Sequence, residues 1–126
     1  MEVKQVIVLR KDLNMRKGKM VAQGAHASVT VVVEMERMSR SIGFHSGERE
    51  YREWINGSQT KVCVGVSSEQ ELCVVYQRAK SAGIPCSIIT DAGKTEFGGV
   101  PTKTAVAIGP DTVEKIDAIT GDLKLL

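Results

Sequence analysis

Aromatic side chains are scarce in this chain of 126 residues, where Phe, Tyr and Trp together make up 4%. Its core must therefore be built from Val, Ile, Leu, Ala and Met, which suits helices packed on a sheet. Recognition of single-stranded RNA by base stacking loses its usual platform. Net charge is small as well, +2, whereas non-specific phosphate binding needs many clustered cations. Cysteine is limited to Cys63, Cys73 and Cys86, an odd number with no CxxC pair. That excludes a disulfide framework and a zinc ribbon, and the three are read as ordinary buried thiols. Only two histidines are present, His26 and His45, so a three-histidine zinc site is impossible. HExxH, GxSxG and the phosphate-cradling GxxxxGK[ST] are all missing, which removes support for zinc-protease, nucleophile-elbow and nucleoside-triphosphatase chemistry. No apolar run approaches the length of a membrane span, and the opening Met-Glu-Val-Lys-Gln lacks the apolar stretch of a signal peptide. The expectation is a complete, single domain over residues 1–126, at work in the reducing cytoplasm.

The charge that is there is unevenly placed. Between positions 10 and 19 lie five cations (Arg10, Lys11, Arg16, Lys17, Lys19) and one acid (Asp12), whereas residues 60–126 hold seven cations and eight acids. The basic end is the N-terminal one, and its plainer reading is a solvated loop. The run QVIVLR at 5–10 predicts a buried first strand. From about Lys19 to Met38 a proline-free segment rich in small residues predicts a helix, although VTVVV at 29–33 taken alone favours a strand. Residues 39–58 are polar and irregular, with room for a short helix at 48–55 in which Trp54 is read as a core anchor. TKVCVGV at 60–66 alternates as a second strand, and Ser67 to Glu71 offers a capping box for a helix ending at Ala82-Gly83. CSIIT at 86–90 is a third strand and KTAVAIG at 103–109 a fourth, which Pro110 should stop. Asp111, with Glu114 three positions on, should cap a last helix. The alternation predicts an α/β fold, a mixed four-stranded sheet flanked by helices.

Lys19, Gln23 and His26 are spaced to share one helical face, with Thr30 a turn further on. A stripe of this kind is either an exposed face or one wall of a cleft. Around Gly18, the residues Arg16, Lys17 and Lys19 surround a helix start, where free N–H groups and the helix dipole favour an anion. A basic surface turn would look the same. Asp91 falls just past the third strand, and ligands of open α/β sheets gather at strand carboxyl ends. As a turn residue it would instead satisfy its own backbone. Thr95, Thr102 and Thr104 follow across Gly98-Gly99 and supply hydroxyls.

Four blocks, KGKMVAQGAHA (17–27), DAGKTEF (91–97), PTKTAVAIGP (101–110) and TGDLKLL (120–126), resemble the type 2 peptidyl-tRNA hydrolases, in the order and at the intervals of that family. The resemblance implies a mixed four-stranded sheet flanked by helices, a homodimer, and cleavage of the ester between peptide and tRNA without metal or other cofactor. It assigns the family's functional lysine to Lys19, the helix glutamine to Gln23, the aspartate to Asp91 and threonines to Thr95 and Thr104, with Thr102 as the competing choice for the last. Three departures stand out: Gly24 where many members have Cys, Glu96 where many have Gln, and a Gly98-Gly99-Val100 loop one residue longer. On this basis Lys11, Arg16 and Lys17 are expected to grip the tRNA backbone and Lys19, Gln23, Asp91 and Thr95 to surround the ester. The general base stays unassigned. His26 enters as a candidate because its unperturbed pKa lies near neutrality. The competing readings are a catalytically silent RNA-binding adaptor on the same fold and a hydrolase of a smaller acyl ester.

Overall fold

A computed structural model describes all 126 residues. Eight elements follow one another: β1 (Val3–Arg10), α1 (Lys17–Ile42), α2 (Glu48–Asn56), β2 (Lys61–Val66), α3 (Glu69–Ser81), β3 (Cys86–Asp91), β4 (Thr102–Thr112) and α4 (Val113–Thr120). The strands form one mixed sheet in the order β2-β1-β4-β3. β1 runs parallel to β2, and β4 lies antiparallel to both β1 and β3. This is the α/β arrangement that the sequence predicts. No helix is long and apolar enough to cross a membrane.

Because successive residues of a strand point to opposite faces, β1 serves two cores at once. Val6 and Val8 join Leu72, Ile108 and Ile116 on the face covered by α3 and α4. Ile7 and Leu9 join Ala27, Val31, Met35 and Tyr51 under α1 and α2. Fully burying a Val or Ile side chain contributes roughly 1.5–3 kcal/mol, so these central strands carry much of the stability.

Helix α1 extends past both predicted ends, from Lys17 to Ile42, and includes the β-branched run at 29–33. Packing overrides local preference there. Ala27, Val31 and Met35 recur every four residues and are all buried against the sheet. Gly24 faces Ile7 across this interface, where a Cβ would meet Ile7 Cγ2 at 3.4 Å, an ordinary contact, so a small side chain would also fit. A buried polar link fixes the depth: Ser28 donates to Gln5 Oε1 at 2.6 Å, and Gln5 Nε2 donates to the Gly109 carbonyl at 3.0 Å. Trp54 sits in the core, 2% exposed, with its indole N–H on the Thr60 carbonyl.

Several expectations need correction. β4 does not stop at Pro110 but runs on to Thr112. The proline falls opposite the register shift between Lys4 and Val6, where a missing N–H costs no ladder bond. As a result Asp111 is a buried strand residue, and Thr112 is the cap of α4, accepting from the Lys115 N–H. Asp91 is the last residue of β3 rather than the first beyond it. Of the cysteines, Cys63 is exposed and Cys73 and Cys86 are only partly buried. At the α3 start Ser68 Oγ accepts from the Glu71 N–H as the capping box requires, while the Glu71 carboxylate reaches one residue further back, to the Ser67 N–H.

The two sheet edges differ. The outer side of β2 is covered by the C-terminal residues, through Gly65 N–H to Lys124 O and Leu126 N–H to Cys63 O, both 3.0 Å, with a bridge between Val64 and Leu125. The outer side of β3 receives no backbone hydrogen bond from any other segment.

Candidate active site

Asp91 ends β3, Lys19 lies in the first turn of α1, and the two meet: Lys19 Nζ donates to Asp91 Oδ1 at 2.9 Å. Lys19 also donates to Thr95 Oγ1 at 2.8 Å. Gln23, one turn along α1, donates from Nε2 to the same Asp91 oxygen at 3.3 Å. Its Oε1 accepts from the hydroxyl of Thr104, a fully buried β4 residue. Thr102 spends its hydroxyl on the Val100 carbonyl in its own turn and stays outside the network. Geometry thus brings together Lys19, Gln23, Asp91, Thr95 and Thr104 from two strands, one helix and one loop.

The two oxygens of Asp91 have different partners. Oδ2 accepts the Gly93 N–H at 2.8 Å, closing its own turn, while Oδ1 faces the helix. The Lys19 ammonium, and after it the Gly93 N–H, hold the Asp91 carboxyl below the usual carboxylate range. The pair is semi-exposed, with side-chain exposures of 14% for Lys19 and 16% for Asp91. The centre lies at the end of the sheet, with Gln23 and Thr104 buried behind the pair and Lys19 and Asp91 at its solvent side.

A count of valences shows what remains usable. Lys19 has three N–H donors and two are taken. Gln23 keeps a second amide hydrogen, and its orientation is locked by Thr104 on one side and Asp91 on the other. The arrangement can therefore hold an anion or a polarised carbonyl beside Lys19 and a water beside the carboxylate.

His26 lies about 10 Å further along the helix, at 1.5 Å per residue. It is exposed and makes no hydrogen bond with the centre. Lys17 is exposed without an ion-pair partner, and Lys11 is exposed with its stem laid across Gly65 of β2. Arg16 is different. Its guanidinium is paired with Glu96 at 2.8 Å, and the same carboxylate accepts the Arg16 N–H at 3.4 Å. The Arg16 guanidinium holds the Glu96 carboxyl below its ordinary range. A carboxylate of the protein thus neutralises the arginine that precedes the helix start. Two further neighbours escaped the sequence reading, the Gly93 N–H and the Phe97 ring, whose centroid lies 5.6 Å from Lys19 Nζ. The signal for the first was Gly93 itself: its φ of 81° and a Cβ that would meet Val100 O at 2.2 Å require glycine.

Fold and centre together define a class, an α/β protein that presents a charged, hydrogen-bonded cluster at the carboxyl end of an edge strand. Comparison with known proteins narrows it. The family model Peptidyl-tRNA hydrolase PTH2 matches residues 3–126. A peptidyl-tRNA hydrolase of Methanocaldococcus jannaschii is 50% identical over 124 residues, 98% of this chain and 100% of that protein. One of Sulfurisphaera tokodaii is 45% identical over 126 residues, covering both chains fully, and one of Methanococcus maripaludis is 44% identical over 122 residues, 97% of each. The chain belongs to the PTH2 family of peptidyl-tRNA hydrolases.

Proposed function

We infer that this chain is a hydrolase that cleaves the ester joining a peptide to tRNA, returning free tRNA to translation. Family membership over nearly the whole length supports the reaction. The observation that carries the location is the 2.9 Å contact between Lys19 and Asp91 at the end of β3.

In this scheme Asp91 remains ionised and acts as a weak base at best, since its pKa is drawn down by Lys19. It holds Lys19 and orients a water on the free side of its carboxylate. The remaining Lys19 N–H, with the second Gln23 amide hydrogen, stabilises the oxyanion that develops on the ester carbonyl. Water oxygen bonds to the carbonyl carbon, and the bond to the ribose oxygen breaks. The ribose oxygen takes one proton of the water, the other passes to solvent, and the peptide departs as a carboxylate. Catalysis then consists of orientation and charge stabilisation on an already labile ester. Thr104 acts through Gln23 as a positioning residue. His26 is left outside the scheme. Lys11 and Lys17 meet tRNA phosphates, and Arg16 does so once its bond to Glu96 opens.

Hydrolysis of N-acetyl-aminoacyl-tRNA, set beside a short acyl-adenosine, tests the reading. Rapid cleavage of the first with little of the second is expected. Equal cleavage favours a smaller ester as substrate, and tRNA binding without cleavage favours a silent adaptor. A homodimer acting in the cytoplasm completes the proposal. The exposed apolar side chains Val21, Val29, Ile42 and Phe44 along and beyond α1 offer a surface for pairing, and sedimentation equilibrium reads the state directly.

A further inference from the structure

A hydrolase of peptidyl-tRNA must accept peptides of every sequence, so its hold on the peptide cannot depend on side chains. The main chain is the one feature that all such peptides share. In this molecule the sheet has one edge covered and one bare, and the bare edge, β3, ends at Asp91 in the Lys19 centre. Every second residue of an edge strand turns its N–H and C=O outward, a ready template for another extended segment.

We propose that the peptide part of the substrate binds by adding a strand to the outer edge of β3, a site that rests on the function inferred above. Substrate chemistry fixes the direction. The ester is at the carboxyl end of the peptide and must lie beside Asp91, so the peptide runs back towards Cys86 and its chain direction is the same as that of β3. The added strand is therefore parallel. The six residues of β3 span about 17 Å at ~3.3 Å per step, enough for five or six peptide residues. At the far end, a groove of about 230 Å³ lined by Val31, Met35, Met38, Pro85 and Cys86 receives what extends beyond. The register shift next to the centre places its extra residue, Thr104, in β4, so β3 itself stays regular up to Asp91. Main-chain pairing of this kind gives affinity without sequence preference.

The test compares tRNAs charged with N-acetyl-alanine, with an N-acetylated tetra-alanine, and with the same tetrapeptide N-methylated at alternate amides. Two to three further main-chain hydrogen bonds should lower KM about tenfold from the first substrate to the second, and methylation in one of the two alternate registers should remove that gain. Equal KM for all three overturns the edge proposal while leaving the hydrolase reading intact. Failure to cleave even the N-acetyl-alanine ester overturns both. Hydrogen exchange supplies a second measurement: an amide-linked peptidyl-tRNA mimic should slow exchange at alternate residues of 86–90. If those amides are instead protected by raising the protein concentration without substrate, a second copy occupies the edge and the proposal falls.

Discussion

The first turn of α1 and its last turns each meet a neighbouring segment through charged side chains, and each holds a carboxylate with a depressed pKa. At the far end Glu36 accepts from the Tyr51 hydroxyl at 2.6 Å and from Arg52 at 2.9 Å. The Tyr51 hydroxyl is the largest cause of the Glu36 shift, and burial in turn pushes the phenol up. Glu48 accepts from Arg52 and from Ser39. All of these groups lie along the flanks of two packed helices and satisfy one another. At the near end the carboxylate closes a strand, its partners come from α1 and from its own following loop, and donors are left over. A shifted pKa is common to both, so it does not by itself mark a functional centre. Unspent hydrogen-bonding capacity at a strand end is what separates the two.

That contrast can be broken experimentally. The largest effect is expected from Asp91→Asn, which should stay folded with a small fall in melting temperature yet lose about 100- to 1,000-fold in kcat, the range for removal of a preorganised electrostatic group. Unchanged turnover would move the centre elsewhere. Thr104→Val should cost about tenfold in kcat, because Gln23 loses the donor that fixes its amide and a buried acceptor is left unmet, at about 1–3 kcal/mol. Tyr51→Phe, in the far network, should cost about 1 kcal/mol of stability by chemical denaturation with kcat intact. A loss of turnover there would erase the distinction between the two ends. Lys17→Ala should show the smallest effect, a modest rise in KM and a salt dependence of binding shallower by about one in log–log slope.

Acid titration sharpens the same comparison. Asp91 has its carboxyl pKa lowered in the folded state from an ordinary 3.8. The stability and charge that it supplies are therefore fully present above that value and are lost only as pH falls through the lower folded pKa. The acid limb of kcat should accordingly lie below the ordinary carboxylate range. A limb near neutrality would show that another group governs the reaction.

Much of this was legible in the residues. The alternating β-branched runs marked the strands, Ser68 and Glu71 marked the α3 start, and the four-residue spacing of Lys19 and Gln23 placed them on one face. Other features were not, because they depend on partners distant in sequence. VTVVV reads as a strand until the sheet beneath it rewards helical periodicity. Pro110 reads as a stop until a register shift on β1 makes its missing N–H harmless. The closure of β2 by residues 124–126 and the pairing of Arg16 with Glu96 join segments about 60 and 80 positions apart, beyond the reach of local pattern. Choosing Thr104 over Thr102 likewise needed the Gln23 amide.

The Arg16–Glu96 pair makes this end of the helix an ion exchanger with its own built-in salt. A phosphate arriving there swaps places with a carboxylate that stays attached to the protein, so the cations shed by the nucleic acid are partly offset by the charge left uncovered at Glu96. Contact at Arg16 should thus depend less steeply on ionic strength than contact at the unpaired Lys17.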